Sequence, residues 1–276
     1  MVYYKKFKRS ELERHLEEIG NNLENNVKVY LIGGCSMIIR RLKIATKDID
    51  AVFVSSKELR LFVNALKKLK FKEVVKLGLA YQKLGASAVL RNKDSFQFDV
   101  FLKQVCRALE VTETMLKRAE FYKRFGNLDV YLMSSEDVFL FKSITDRETD
   151  LADMETIAKA GINWNIIKKE CLSQKKRRIW EAFLVQRLEK LKERGISAPI
   201  IKDLWKSAGD ELVKIAILEI IKSRNNSFGE IAKIMKEKYK YSKSWTRKEL
   251  EKLVKKKIII KQRNGKKYIY YSCQNE

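Results

Sequence analysis

Residues 32–50 read Ile32-Gly33-Gly34-Cys35-Ser36-Met37-Ile38-Ile39-Arg40-Arg41-Leu42-Lys43-Ile44-Ala45-Thr46-Lys47-Asp48-Ile49-Asp50, and how this stretch folds decides the rest. An apolar run, Val29-Tyr30-Leu31-Ile32, ends in the double glycine, and Asp48-Ile49-Asp50 opens a second apolar run through Ala51-Val52-Phe53-Val54. On a strand, Asp48 and Asp50 are two residues apart and project from one face. Two carboxylates side by side repel unless a cation lies between them, and hard divalent ions favour such oxygen-only sites, completed by substrate phosphates. Gly33 and Gly34 let backbone N–H groups approach a phosphate closely. Together these features point to a metal-dependent nucleotide site. The competing reading of the two aspartates is a polar strand edge or a helix cap.

Composition narrows the classes. With 276 residues the chain has room for two domains. No apolar run approaches the roughly 20 residues needed to span a bilayer. Met1-Val2-Tyr3-Tyr4-Lys5-Lys6 has no apolar h-region, so a cytoplasmic protein is expected. Cys35, Cys106, Cys171 and Cys273 are scattered, without zinc-site spacing, and read as reduced thiols. His15 is the sole histidine and sits in a charged helical pattern, so a surface position is expected and Ser–His or Cys–His chemistry is disfavoured. The 59 Lys and Arg outnumber 35 Asp and Glu, a net charge of +24 that favours a polyanionic partner, most simply nucleic acid.

Hydrophobic periodicity predicts helices at 9–25 (Ser10 as N-cap), 57–69, 112–123, 135–159 and 163–192, and strands at 27–32, 48–54, 86–90 and 96–101. The first half is therefore an α/β (α+β) core with a mixed sheet. From about 212 the texture changes. Three helical patterns, Leu212–Arg224, Phe228–Lys238 and one opened by Ser242 or Ser244 and reaching Lys257, precede two β-rich runs joined by Asn264-Gly265. Asn-Gly between such runs predicts a two-residue hairpin. Three helices and a hairpin are the winged-helix order. Residues 213–276 carry 18 Lys and Arg against 6 Asp and Glu, half of the whole net charge. The expected division is 1–160, a helical extension over 161–211, and 212–276.

Apolar-Gly-Gly, 13 intervening residues, then Asp-apolar-Asp-apolar resembles the nucleotidyltransferase signature of the DNA polymerase β-like superfamily. The resemblance covers roughly residues 10–160. It implies a nucleotidyltransferase fold and a third carboxylate on a neighbouring strand, a place that Asp99 in Phe98-Asp99-Val100-Phe101 fits; one aspartate in an alternating strand is otherwise a solvent-facing residue. It further implies that Asp48, Asp50 and Asp99 are catalytic and hold Mg²⁺ (or Mn²⁺), and that Gly33, Gly34 and Ser36 meet the β- and γ-phosphates of an NTP. Thr46 and Lys47 fit the approach to the motif.

A second stretch, Phe141-Lys142-Ser143-Ile144-Thr145-Asp146-Arg147-Glu148-Thr149-Asp150-Leu151-Ala152-Asp153, is similar to the Lys…Arg-x-Lys-Asp-x-x-Asp segment of AbiEii-type and related archaeal nucleotidyltransferases, many of them toxins of toxin–antitoxin pairs. Thr149 replaces the lysine before the first aspartate. The resemblance places Lys142 and Arg147 near nucleotide phosphates and makes Asp150 a catalytic or positioning residue; the alternative is a salt-laced helix pairing Arg147 with Asp150 and Lys142 with Asp146. The expected reaction moves NMP from an NTP to a hydroxyl of RNA (tRNA-like) or protein, with an antitoxin protein as a further partner. In the basic tail, Lys243, Arg247, Lys248, Lys252 and Lys255 on the third helix, and Arg263, Lys266 and Lys267 at the hairpin tip, are the nucleic-acid contacts expected. Trp245, Tyr268, Tyr270 and Tyr271 read as core, and the basic run Lys175-Lys176-Arg177-Arg178 would extend the surface. The rival function is a DNA-binding regulator that keeps the fold as a scaffold or nucleotide sensor.

Overall fold

The computed structural model describes residues 6–74, 86–105, 109–174, 177–223, 226–239, 241–265 and 267–273. The chain divides into two compact units, residues 1–202 and 203–276. No described helix is long and apolar enough to cross a membrane.

The first unit is an α/β unit built on a mixed seven-stranded sheet. Helix α1 (Arg9–Asn21) leads into β1 (Val27–Ile32), α2 (Gly33–Ile39), β2 (Asp48–Phe53) and α3 (Ser56–Lys68). The short strands β3 (Lys72–Glu73) and β4 (Ala88–Arg91) precede β5 (Gln97–Leu102); β6 (Gln104–Val105) and β7 (Leu109–Glu110) form a separate pair. Helix α4 (Glu113–Arg118) is followed by the hairpin of β8 (Glu120–Phe125) and β9 (Leu128–Leu132). The sheet order is β3-β4-β5-β2-β1-β9-β8, with β2 parallel to β5, β1 antiparallel to β2, and β1 parallel to β9. The apolar runs either side of the Gly-Gly and Asp-x-Asp motifs thus become the two central strands. Leu31, Ile49, Ala51, Phe53, Phe98 and Val100 are fully buried with α1 and α3 residues such as Leu16 and Phe62.

Helices α5 (Ser135–Ser143), α6 (Glu148–Lys159), α7 (Trp164–Ser173) and α8 (Arg177–Glu193) complete the unit. Several boundaries differ from the sequence reading. The N-cap of α1 is Lys8, whose N–H donates to the Glu11 carboxylate; Ser10 lies inside the helix. The helix read at 112–123 ends at Arg118, and the chain continues as the edge strand β8. The region 135–159 is two helices, broken at 144–147. That turn is held from outside: the Arg187 guanidinium donates to the Thr145 carbonyl and pairs with Asp146. Region 163–192 is likewise two helices, and Lys175 and Lys176 lie outside the described residues. His15 is buried, contrary to the expected surface position, because Phe71 and Phe96 close over its ring.

The second unit holds α9 (Ile201–Ser223), β10 (Asn226–Ser227), α10 (Phe228–Tyr239), α11 (Lys243–Lys255), β11 (Ile259–Asn264) and β12 (Lys267–Ser272). Helix α9 begins well before residue 212. Ser242 caps α11, accepting from the Trp245 N–H. The strands form a sheet in the order β10-β12-β11. Asn264 pairs with Lys267, so the hairpin turn is centred one residue later than Asn264-Gly265; Gly265, at φ +60°, is its first central residue. Ile217, Ile231, Met235, Leu250 and Ile259 form a separate core, which also takes Tyr270 and the partly buried Trp245; Tyr268 is exposed and Tyr271 half-buried.

Candidate active site

Three aspartates meet where β1, β2 and β5 run side by side. Asp50 on β2 is the register partner of Asp99 on β5 and of Ile32 at the end of β1. Asp48 and Asp50 are half-buried; Asp99 is buried, so the solvent-facing alternative for it fails. The chain turns from β1 into α2 at Gly33, whose φ is +62°. A Cβ there would lie 1.9 Å from Asp50 Oδ2, so the Asp50 carboxylate sits against bare backbone. At Gly34 a Cβ would meet Thr46 Oγ1 at 2.4 Å. Only glycine meets both demands at 33, the left-handed backbone and the missing side chain. Ser36 is buried and accepts a 2.7 Å hydrogen bond from Arg40 Nη1.

All three carboxyls are pushed above the usual carboxylate range. For Asp50 the rise is large: burial comes first, then repulsion from Asp48 and Asp99. Burial is also the main cause at Asp48, opposed by the Arg147, Lys142 and Lys43 charges. Asp99 is raised to about 7 by burial and then by Asp48, against a hydrogen bond from Gln97. Among the described residues, none of the three forms an ion pair with a lysine or arginine.

The neighbouring carboxylates behave in the opposite way. Lys142 Nζ lies 3.0 Å from Asp150 and 2.7 Å from Asp153, and Lys43 Nζ lies 2.7 Å from Asp153. Asp150 also accepts from Thr145 and, at 2.7 Å, from Arg147 Nε. Burial alone would raise its pKa, but Lys142 and Arg147 carry it below the ordinary value. The helical pairing of Arg147 with Asp150 exists; Lys142 pairs with Asp150 and Asp153, and Asp146 with Arg187 and Lys190. Arg147 joins the two groups, since its charge acts on Asp48, Asp50 and Asp99 as well.

Two further residues escaped the sequence reading. Gln97 Nε2 donates to Asp99 Oδ1 at 2.7 Å, and Gln97 Oε1 accepts from Arg91 Nε at 3.0 Å. Arg91 can only donate, so it fixes which end of the amide faces Asp99. Two residues apart on an alternating strand, Gln97 and Asp99 share a face, which was the available signal. Lys43, reaching across to Asp153, left none.

The donor set suits a hard divalent cation: recessed carboxylate oxygens, mutually repelling, with no lysine or arginine paired to them. Among the described residues no group of three or more His, Cys, Asp or Glu side chains is arranged to hold a metal ion between them. An ion here would draw one or two protein carboxylates and complete its shell from substrate and water, the usual habit of Mg²⁺.

In the second unit, Lys243, Arg247, Lys248, Lys252 and Lys255 are all exposed on α11, and Arg263 and Lys267 are exposed on the hairpin; Lys266 lies outside the described residues. Arg247 lies 4.6 Å from the Phe228 ring centre, and Lys252 pairs with Glu249.

A search of curated proteins finds no match to the chain. Residues 10–194, which contain the whole aspartate and lysine–arginine constellation, match a family described as nucleotidyltransferase of unknown function (DUF6036). The chain belongs to that nucleotidyltransferase family.

Proposed function

We propose that the chain is a Mg²⁺-dependent enzyme that moves NMP from an NTP to a hydroxyl of RNA, tRNA-like in kind, or of a protein, with release of pyrophosphate. The observation that carries this reading is the trio Asp48, Asp50 and Asp99, with Asp50 set against the bare backbone of Gly33; among the described residues none of the three has a paired lysine or arginine, whereas Asp150 and Asp153 do. Asp48 and Asp50 would hold the metal, and Asp99 would join them and receive the proton of the attacking hydroxyl. Bound there, divalent ions supply charge stabilisation to the entering and leaving oxygens of an in-line displacement. Gly33 and Gly34 offer backbone N–H groups to the phosphates, Ser36 a hydroxyl, and Arg147 a guanidinium that Asp150 orients. Lys142, bonded to Asp150 and Asp153, contributes its field and holds the α5–α6 turn region in place.

The order helix, strand, two helices and hairpin, closed by the β10-β12-β11 sheet, supports reading the second unit as a winged helix. The exposed cations of α11 would then contact phosphates, which position a duplex without reading its sequence. That same basic helix favours the second reading, a DNA-binding regulator with the first unit as scaffold or nucleotide sensor. The AbiEii-type likeness supports a toxin paired with an antitoxin protein, and a neighbouring gene for a small DNA-binding protein is the finding that reading expects.

The test is transfer of label from α-phosphate-labelled NTP to total RNA or protein with Mg²⁺. Transfer that disappears in Asp48→Ala bears the enzyme reading out. Full activity in that variant removes it, and absence of any Mg·NTP binding favours a regulator that keeps the fold only as a scaffold.

A further inference from the structure

The hairpin face that closes the core of the second unit runs on past that core. Tyr270 on β12 is buried there at 4% exposure. Tyr268, two residues away and so on the same face, is 47% exposed. Across the ladder Lys261 is the register partner of Tyr270, and Arg263 that of Tyr268, so two cations share the face with the open ring. Tyr268 lines a cavity of about 660 Å³ between the hairpin, the start of α10 and α11. Clefts that take small ligands run from about 300 to 1,000 Å³.

The lining combines rings with charges of both signs. Lys261 Nζ lies 4.3 Å from the centre of the Tyr268 ring, and the Arg247 guanidinium 4.6 Å from that of the half-buried Phe228. Lys267 is a third cation of the lining, and all three are exposed and without an ion pair among the described residues. Of the two carboxylates, Glu230 accepts from the N–H and the hydroxyl of Ser227, each at 2.7 Å. Glu251 is exposed and has no ion pair among the described residues.

We propose that this cavity binds an unpaired nucleotide of a single-stranded nucleic acid, with Tyr268 as the platform on which its base stacks. The phosphates on either side meet Lys261, Lys267 and Arg247. A base amino group donates to Glu251, a carboxylate that would repel a bare phosphate. Within a duplex the faces of each base are covered by its neighbours, so only an unstacked base reaches the ring. The proposal rests on the reading of the second unit as a nucleic-acid module and is independent of nucleotidyl transfer by the first. It narrows that reading from a plain duplex to a strand with at least one unpaired nucleotide.

The experiment measures binding of a short fluorescein-labelled single-stranded RNA, and of a blunt DNA duplex of equal length, to the full chain by anisotropy across salt concentrations. In Tyr268→Ala the affinity for the single strand should fall about tenfold, the worth of one stacked base. Its salt slope should not change, because no charge is removed, and duplex affinity should keep its wild-type value. Tyr268→Trp retains a platform and should bind the strand at least as tightly as wild type, which sets a lost ring apart from a misfolded hairpin. Lys261→Gln should make the slope shallower by about 0.7, the contribution of one phosphate contact on a single strand. The proposal is overturned by wild-type strand binding in Tyr268→Ala, by equal losses for strand and duplex, by equal losses in the alanine and tryptophan variants, or by a wild type that binds only the duplex. Lys248→Glu, on α11 but outside the cavity lining, separates the two ideas. If it weakens binding while Tyr268→Ala does not, the nucleic-acid module stands and the cavity falls; a wild type that binds neither probe ends both.

Discussion

Two groups of buried and half-buried aspartates lie within one unit and are treated in opposite ways. Asp150 and Asp153 are saturated: Lys142, Lys43 and Arg147 neutralise them, and Thr145 adds a hydrogen bond. Among the described residues Asp48, Asp50 and Asp99 have no paired lysine or arginine, and their pKa values rise where that of Asp150 falls. A buried carboxylate without a counter-charge is costly, and folds that need only stability supply one. On the proposed reading the difference separates a structural lock from a site kept for a bound cation.

The sharpest way to break this comparison is Asp50→Asn. Transfer should fall on the order of 10³-fold, the scale lost when a charge-stabilising group leaves a transition state. The melting temperature without added metal should stay level or rise, because a repelling charge has gone. Thermal denaturation with and without Mg·NTP reads both; the wild type should be stabilised by the ligand and the variant not. A variant that is both active and less stable would place Asp50 with the structural group.

Lys142→Met should do the reverse. It leaves Asp150 and Asp153 short of a partner in a buried setting, a loss of about 3–5 kcal/mol and on the order of 10 °C in Tm. Chemical denaturation checks it, and an unchanged midpoint would mean that Lys43 and Arg147 suffice.

Asp99→Asn tests the same contrast through pH. Burial and then the Asp48 charge push the Asp99 carboxyl up to about 7 in the folded protein, above its ordinary value near 3.8. The unfolded chain therefore loses that proton first, and stability declines as pH rises from the acid range through 7. The asparagine variant should lack this decline and melt a few degrees above wild type at pH 8, with little difference at pH 4. Equal melting curves at pH 8 would remove the repulsion argument.

The smallest effect is expected at Arg147, which bonds Asp150, acts on the other three aspartates through its charge alone, and is largely exposed. Arg147→Gln should raise the KM for NTP about tenfold, the worth of one charge-assisted hydrogen bond, and shift Tm by no more than about 2 °C. A large drop in Tm with unchanged KM would assign it to the lock alone.

The central motif was legible because its signals are local and stacked: an apolar run, two glycines, a fixed spacer and two same-face aspartates. Asp99 was legible through strand alternation once a third carboxylate was sought. What stayed hidden depends on contacts distant in sequence. Strand β8, Glu120-Phe121-Tyr122-Lys123-Arg124-Phe125, is a mostly exposed edge whose charges carry no period of two. The break at 144–147 contains neither glycine nor proline and is fixed by Arg187, more than forty residues on. His15 is buried by Phe71 and Phe96, neither of them near it in the chain. The cations of the lock looked like ordinary helix-surface charges because the partners of Lys142 lie on the next helix.

The contact between Gly33 and Asp50 ties two positions seventeen residues apart into one unit of inheritance. A side chain at 33 is admissible only in a descendant whose residue 50 has shortened or turned away, and such a descendant has given up the site. Within a set of related chains, residue 33 therefore serves as a fossil marker: any branch in which it is no longer glycine should also have abandoned the aspartate, and with it the chemistry.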